Sequence, residues 1–302
     1  MSIDLTVVGL RWLQFAAAVL AFGLPLFQAF GLREPGPQSA RRAAIIAGLV
    51  LSVAALGGLL AQTAMMAGGW EAGLAPDALS YVVQSTSLGI AHVVRAGLAL
   101  LGVAALVLGR EQRAGEWVAI LAFAGAVASF AWSGHGAGSE GSLGLLHLAA
   151  DIAHALAAAV WLSALVAFCL LLIRPKPREA AGTARSLAGF ASVGTVAVAV
   201  LVMTGLINAA FLIGAAGLDR ITGSTWGLLL IAKLVLVAVM VGLAAHNRFT
   251  LTPALSRAVE AQTDTAHAVR RLRISIGLEM LAGFSLLGLV AAMGVQMPPA
   301  SM

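Results

Sequence analysis

Charged residues are scarce in this sequence, since they make up 10% of its 302 residues, against about a quarter in soluble globular domains. It has one cysteine, Cys169, which excludes an intrachain disulfide. It has no G-x-x-x-x-G-K-[ST] motif, which argues against ATP-driven pumping by this chain. Asp4 stands where a signal peptide would be basic, and Arg11 and Gln14 interrupt the first apolar run. We therefore expect no cleavable signal peptide.

Apolar residues take the place of the missing charges. They make up 60% of the chain, and the mean hydropathy is +0.97. This composition predicts an all-α integral membrane protein, a single transmembrane domain over residues 1–302 with no soluble domain, and the lipid bilayer as a partner. Eight segments reach the roughly 20 apolar residues that span a bilayer. These predicted spans are residues 6–31, 43–67, 88–109, 116–133, 144–173, 188–214, 226–246 and 273–296.

The loops between these segments alternate in charge. The basic ones are residues 32–42, 110–115, 174–187 and 247–272. By the positive-inside rule they face the cytoplasm, so both termini are predicted to lie on the outer side, which is the periplasm in a Gram-negative host. The net charge of +5 is thus explained by topology, and we predict no nucleic-acid partner.

One stretch, from Trp132 to Trp161, concentrates polar residues that can bind metals. A Gly/Ser loop with His135 leads into an apolar helix with His147, Asp151 and His154. Positions i, i+4 and i+7 share one helical face, and Trp161 continues the same stripe. Imidazole binds copper, zinc and haem iron, and Asp151 is suited to orient a ligating imidazole. The stripe therefore predicts a metal or haem site, although each histidine also has an ordinary structural explanation.

Several spans carry a buried charge in what is predicted to be the outer half of the membrane. The basic residues are Arg11, Arg95 and Lys233, with His92 as a further candidate metal ligand close to them. Ionisable residues inside membranes are costly and are functional candidates by default. Asp151 pairing with Arg95 or Lys233 would explain part of this layer as a structural lock. One carboxylate cannot pair with all three cations, and unpaired cations in the membrane need contact with water or a ligand. We therefore predict an outward-opening polar cavity, walled by spans 1, 3, 5 and 7.

Methionine and asparagine side chains extend this predicted cavity. Thioether and imidazole ligands together suit Cu(I), although methionines at helix ends are often ordinary apolar residues. We expect three thioethers at the outer ends of spans to act as ligands, those of Met65, Met66 and Met297. The further residues expected to line the cavity are Trp161, Met203 and Asn208, although Asn208 is equally suited to bridging two helices.

Six blocks of sequence carry a family resemblance. They are S-T-S-L-G-I-A-H-V-V-R at 85–95, W-S-G-H-G at 132–136, H-L-A-A-D-I-A-H-A-L-A-A-A-V-W-L at 147–162, T-G-L-I-N-A at 204–209, W-G-L-L-L-I-A-K-L at 226–234 and H-N-R-F at 246–249. In this order they resemble the CopD (PcoD) family of copper-resistance membrane proteins, with the core motifs in residues 132–249.

The resemblance implies an eight-helix bacterial inner-membrane protein that receives copper from a separate periplasmic carrier of the CopC type and moves it inward. His135 and His147 would then capture the ion at the outer face. His154 and Asp151 would hold it within the membrane. The thioethers that would assist capture are those of Met65, Met66 and Met297. On this interpretation the chain is a transporter of copper, as Cu⁺ or Cu²⁺, and has no catalytic residue.

The basic residues favour a second interpretation. Arg11, Arg95 and Lys233 would repel a copper ion but would attract an anion such as the two propionates of haem. His92 and His154 are suited to ligate haem iron axially, and the CopD fold is distantly similar to HemJ-type proteins, which bind haem. The alternative is therefore a b-type haem protein, a membrane oxidoreductase. A purely structural subunit would leave the polar layer unexplained.

Overall fold

The protein is an all-helical membrane protein. The structure, a computed structural model, describes residues 3–30, 38–109, 112–134, 141–173, 177–214, 219 and 221–301. These residues form helices and no strand. Eight of the helices in this part of the chain are long and apolar enough to cross a membrane, which confirms the predicted number of spans.

The spanning helices follow the predicted segments closely. They are α1 (Ile3–Phe30), α2 (Gln38–Met66), α5 (Ser87–Leu108), α6 (Arg113–Ala128), α7 (Gly141–Ile173), α8 (Pro177–Ile213), α9 (Thr225–His246) and α11 (Ala266–Met293). A 3-10 turn at Ser129–Ser133 prolongs α6. The shorter helices are α3 (Trp70–Gly73), α4 (Pro76–Ser85) and α10 (Thr252–Glu260).

The structure differs from the predicted segments mainly outside the apolar runs. The loop at 68–87 contains α3 and α4, and α4 begins at a proline, Pro76, whose fixed φ suits the first turn of a helix. Helix α8 begins at Pro177 instead of residue 188, because alanine, arginine and glutamate are good helix formers, although the charged residues there keep the segment out of the apolar run. The short helix predicted within 247–272 is present as α10, joined to α9 by a π-helical turn at Asn247–Leu251.

Helix α1 lies at the centre of the bundle and packs against α2, α6, α7 and α11, while α5 packs against α2 and α6. Small residues allow these helices to approach closely. A Cβ atom at Gly102 of α5 would lie 2.6 Å from the ring of Phe123 on α6, which is fully buried. The N-terminal spans thus form a close-packed unit around α1.

Helices α8 and α9 lie at the edge of the bundle. Helix α8 packs mainly against α7, and α9 packs mainly against α11. Few residues in the apolar parts of α8 and α9 are buried by the rest of the chain. Polar side chains between α7, α8 and α9 are therefore near the periphery of the bundle, whereas those between α1, α2 and α5 are inside it.

Candidate functional site

The histidine–aspartate stripe of α7 faces α8. Asp151 Oδ1 accepts a hydrogen bond of 2.6 Å from Asn208 Nδ2, and His154 Nδ1 lies 2.9 Å from Thr204 Oγ1. The ring of His147 stacks on Phe211 of α8. The i, i+4 and i+7 spacing therefore places three polar side chains on one helical face, as predicted.

The hydrogen bonds of His154 determine which of its nitrogens is free. Thr204 Oγ1 also lies 2.6 Å from the carbonyl oxygen of Val200, and a carbonyl oxygen only accepts. A hydroxyl has one proton, so Thr204 donates it to Val200 and accepts from His154 Nδ1–H. The Nε2 atom of a neutral His154 then has an unprotonated lone pair. Metal-binding histidines are usually oriented in this way by a second hydrogen bond.

His147 is held beside the carboxylate of Asp151. Its ring is 1% exposed and stacks on Phe211 with centroids 4.4 Å apart and an interplanar angle of 4°. Its Nε2 atom lies 4.0 Å from Asp151 Oδ2, which is an ion-pair distance and too long for a hydrogen bond. Asp151 therefore lies between Asn208, bonded to one oxygen, and His147, near the other.

Lys233 on α9 completes this arrangement. Its charge interacts with Asp151 and with His154. With neutral imidazoles, the ammonium and the carboxylate cancel, so the cluster has no net charge. The Asp151 side chain is 23% exposed and is accessible from outside the bundle. We call this cluster the α7 group, which consists of His147, Asp151, His154, Thr204, Asn208 and Lys233.

A second polar cluster lies inside the N-terminal unit, around Arg95, which is 1% exposed. Its guanidinium donates to Gln14 Oε1 at 2.7 Å, to the hydroxyls of Ser129 and Ser133 and to the Ser129 carbonyl. It also lies 3.8 Å from the centre of the Phe130 ring. Arg95 is thus satisfied by neutral groups, and it does not pair with Asp151.

This second cluster lines a small pocket with a cavity volume of about 10 Å³. We call it the arginine group, which consists of Arg11, Gln14, Phe15, Gln62, His92, Arg95, Phe130 and Ser133. Two of these residues are arginines and none has a carboxylate. His92 is 2% exposed, and its Nδ1 donates to the Leu88 carbonyl at 2.9 Å, which leaves its Nε2 unprotonated when the ring is neutral.

The structure divides the predicted polar layer into two groups that share no helix. The arginine group uses α1, α2, α5 and the 3-10 turn, whereas the α7 group uses α7, α8 and α9. We predicted one cavity walled by spans 1, 3, 5 and 7, and the described residues do not form it. His92 and His154 fall in different groups, so the two histidines are not brought to a common haem iron.

Trp161 lies further along α7, in a third polar cluster. Its Nε1 donates to Glu279 Oε1 at 3.0 Å, and Asn247 Nδ2 donates to Glu279 Oε2 at 2.9 Å. Glu279 is 1% exposed. Trp161 thus connects α7 to α11 near the end of α9, at a distance from the two groups described above.

The remaining predicted ligands are scattered. Met66, Met203 and Met297 are 58%, 66% and 68% exposed, and Met65 is partly buried at the end of α2. His135 lies outside the described residues. Among the residues that are described, no three His, Cys, Asp or Glu side chains converge as a metal site would require. The structure therefore places His147, Asp151 and His154 on one face of α7 without converging them on a single point, and it leaves the thioethers apart from them.

Several residues of both groups were not singled out as site residues from the sequence. Thr204 precedes Asn208 by one helical turn, so the two side chains share one face of α8. This spacing could have identified Thr204 as a residue beside Asn208. Gln14 and Gln62 are amides within apolar spans, and buried amides need partners. Ser129 and Ser133 gave no such signal, because serine is common in membrane helices and its partner, Arg95, lies in another span.

Comparisons with known proteins agree with one another. The family model "Copper resistance protein D-like, N-terminal domain" matches residues 2–145, and "Copper resistance protein D" matches residues 184–293. The chain is 36% identical over 305 residues to Copper resistance protein D of Pseudomonas syringae pv. tomato, covering 96% of each chain. It is 28% identical over 298 residues to Inner membrane protein YebZ of Escherichia coli (strain K12), covering 93% of this chain and 97% of the relative. No solved structure matches.

Proposed function

Because the chain belongs to the copper resistance protein D family, we propose that it moves copper across the bacterial inner membrane, inward from the periplasmic side, through the α7 group. One observation supports this most strongly. The hydrogen bond from His154 Nδ1 to Thr204 leaves an imidazole nitrogen with a free lone pair, on the same helical face as Asp151. No observation favours the haem alternative.

The chemistry of the α7 group suits copper. Imidazole nitrogen binds copper strongly, as either Cu⁺ or Cu²⁺. Asp151 offsets the charge of Lys233 and has an oxygen beside His147. A cation entering this group meets no net positive charge. In our proposal His147 receives the ion, His154, oriented by Thr204, binds it further along the same face, and the carboxylate of Asp151 stabilises its charge.

Capture at the outer face is the earlier step of this proposal. Both termini, and with them the loop that holds His135, lie on the periplasmic side, and a carrier of the CopC type delivers copper there. His135 and His147 receive the ion. The exposed thioethers of Met66 and Met297, with Met65, suit the soft ion Cu(I). The chain acts as one transmembrane domain over residues 1–302.

The test is copper uptake by cells that make the wild-type chain, His154→Ala or Asp151→Asn, with each protein quantified in the membrane. We expect each variant to reduce uptake by roughly tenfold or more, because His154→Ala removes a ligand and Asp151→Asn removes the charge that stabilises the ion. His267→Ala is the matched control, since His267 is exposed on α11. Wild-type uptake by a variant that lacks both Asp151 and His154 would refute the proposed route.

Orientation is tested separately. A reporter that is active only in the periplasm, fused at the N-terminus or at the C-terminus, should be active in both fusions, and one placed in the loop between α7 and α8 should be silent. The reverse pattern would place His135 and the start of α7 in the cytoplasm. Capture from a periplasmic carrier would then be ruled out.

A further inference from the structure

We propose that the arginine group is a binding site for a small anion such as chloride or formate. The site lies between α1, α2 and α5, next to the 3-10 turn that ends α6. It is separate from the α7 group and does not depend on the proposed copper route.

The first observation is an excess of hydrogen-bond donors. Arg11 Nε and Gln14 Nε2 are both buried and, among the described residues, neither has an acceptor. Both residues line the same pocket. A buried donor without an acceptor costs about 1–3 kcal/mol, so two of them around one pocket indicate a missing acceptor.

The orientation of the Gln14 amide is determined by chemistry. Arginine has donors and no acceptor, so the atom of Gln14 that faces Arg95 must be the carbonyl oxygen Oε1. The amide nitrogen therefore points the other way, toward Gly58 of α2, where a Cβ atom would lie 2.5 Å from it. Rotating the amide to satisfy the nitrogen would break the bond to Arg95.

The second observation is uncompensated charge. Arg11 and Arg95 are close enough for their charges to repel, and no residue lining the pocket is acidic. The Arg11 guanidinium packs against Gly294, the residue that follows α11, where a Cβ atom would collide with it. Unpaired cations in a membrane interior are costly. An anion would relieve the repulsion and supply the missing acceptor.

Size limits the ligand. The cavity volume is about 10 Å³, which is room for about one particle of the size of a water molecule, so only the smallest anions fit. Planar oxyanions such as formate match the fork of a guanidinium, and a halide accepts from several donors at once. Both kinds of anion carry one compact negative charge that can accept from the unpaired N–H donors of Arg11 and Gln14.

The experiment measures thermal unfolding of the detergent-purified protein in sodium gluconate, whose anion is too large for the pocket. Gluconate is replaced by chloride, or by formate, at constant ionic strength. A ligand that binds the native state raises the unfolding midpoint in a saturable manner. We expect a rise of a few degrees for chloride or formate, and retention of radioactive chloride by the protein in equilibrium dialysis.

Two variants and one control locate the effect. Gln14→Glu places a carboxylate against Arg95 and should replace the bound anion, so the folded variant should no longer respond to chloride or formate. Arg11→Gln removes one charge and one unsatisfied donor, and it should weaken the response roughly tenfold or more in concentration. Arg257→Gln, at an exposed site on α10, should respond as the wild type does.

A wild-type midpoint that does not saturate, or is the same in gluconate and in the small anions, would overturn the proposal. So would an unchanged response in Gln14→Glu, or loss of the response in Arg257→Gln, since either would show a general salt effect. If Arg11→Gln does not fold, Gln14→Glu still decides, because it preserves the shape of the side chain and its bond to Arg95.

Discussion

The α7 group and the arginine group are built from similar residues but differ in charge. In the α7 group, the positive charge of Lys233 is balanced by the carboxylate of Asp151. This group lies at the edge of the bundle, where α8 and α9 are little buried by the other helices. The arginine group has two guanidiniums and no carboxylate, and its central arginine is 1% exposed. In our proposals, the two groups therefore serve as separate places for a cation and for an anion in the membrane interior of one protein.

The comparison also shows why a histidine in a membrane helix is not informative by itself. His92 and His154 each donate from Nδ1, to the carbonyl of Leu88 and to Thr204 respectively, so both have a free Nε2. Their neighbours differ, because His92 lies beside two arginines, whereas His154 has a lysine already offset by Asp151. Neighbouring charge, more than imidazole geometry, decides which of the two suits a metal cation.

The largest effect that separates the groups should be on stability. Arg95→Ala leaves the acceptors of Gln14 and Ser129 without their donor, and we expect a loss of about 3–5 kcal/mol, because each buried acceptor left unpaired costs about 1–3 kcal/mol. Lys233→Met removes the charge that offsets Asp151, and it should cost less, because the Asp151 side chain is 23% exposed and keeps its hydrogen bond from Asn208. Thermal unfolding in detergent measures both. Equal losses would contradict the difference in burial between the groups.

A smaller effect concerns the orientation of His154. Thr204→Val keeps the shape of the side chain and removes the acceptor for Nδ1–H. Loss of such an orienting group lowers metal affinity roughly 10- to 100-fold, and we expect this for copper binding without loss of folding. Ser192→Ala, at an exposed position on the same helix, should bind copper as the wild type does. Unchanged affinity in Thr204→Val would remove the role given to this hydrogen bond.

Two glycines, one beside each group, allow the packing around the two groups to be compared by substitution with alanine. A Cβ atom at Gly58 would lie 2.5 Å from Gln14 Nε2, whereas one at Gly205 would lie 3.6 Å from His154 Cε1, an ordinary contact. Gly58→Ala should therefore destabilise by about 1–3 kcal/mol, while Gly205→Ala should be neutral or slightly stabilising, since alanine favours helix. Thermal unfolding of both variants checks this, and the reverse order would contradict the packing.

The smallest effect is expected at Met203, which the sequence suggested as a cavity residue. Its side chain is 66% exposed on α8, in a bundle whose surface faces lipid. Met203→Leu keeps the apolar volume and removes the thioether. We expect copper uptake within about twofold of the wild type, because surface substitutions have small effects. A large loss would place Met203 on the copper route.

The spans and the α7 stripe could be predicted from local sequence, because hydropathy and helical period are properties of neighbouring residues. The division of the polar layer into the α7 group and the arginine group could not be predicted in this way. Arg95 finds its acceptor on Gln14, 81 residues away, and Trp161 finds Glu279, 118 residues away. Such partners depend on which helices pack together, and hydropathy contains no information about that.

The most direct test of the account is copper binding by the purified protein, with an optical spectrum of the same sample. We predict about one equivalent of copper for the wild type and for His267→Ala, and no Soret band in either. The variant that combines His147→Ala and His154→Ala should lose that copper while it remains folded. Copper retained by the folded double variant, or a Soret band with iron in the wild type, would contradict the assignment of copper to the α7 group.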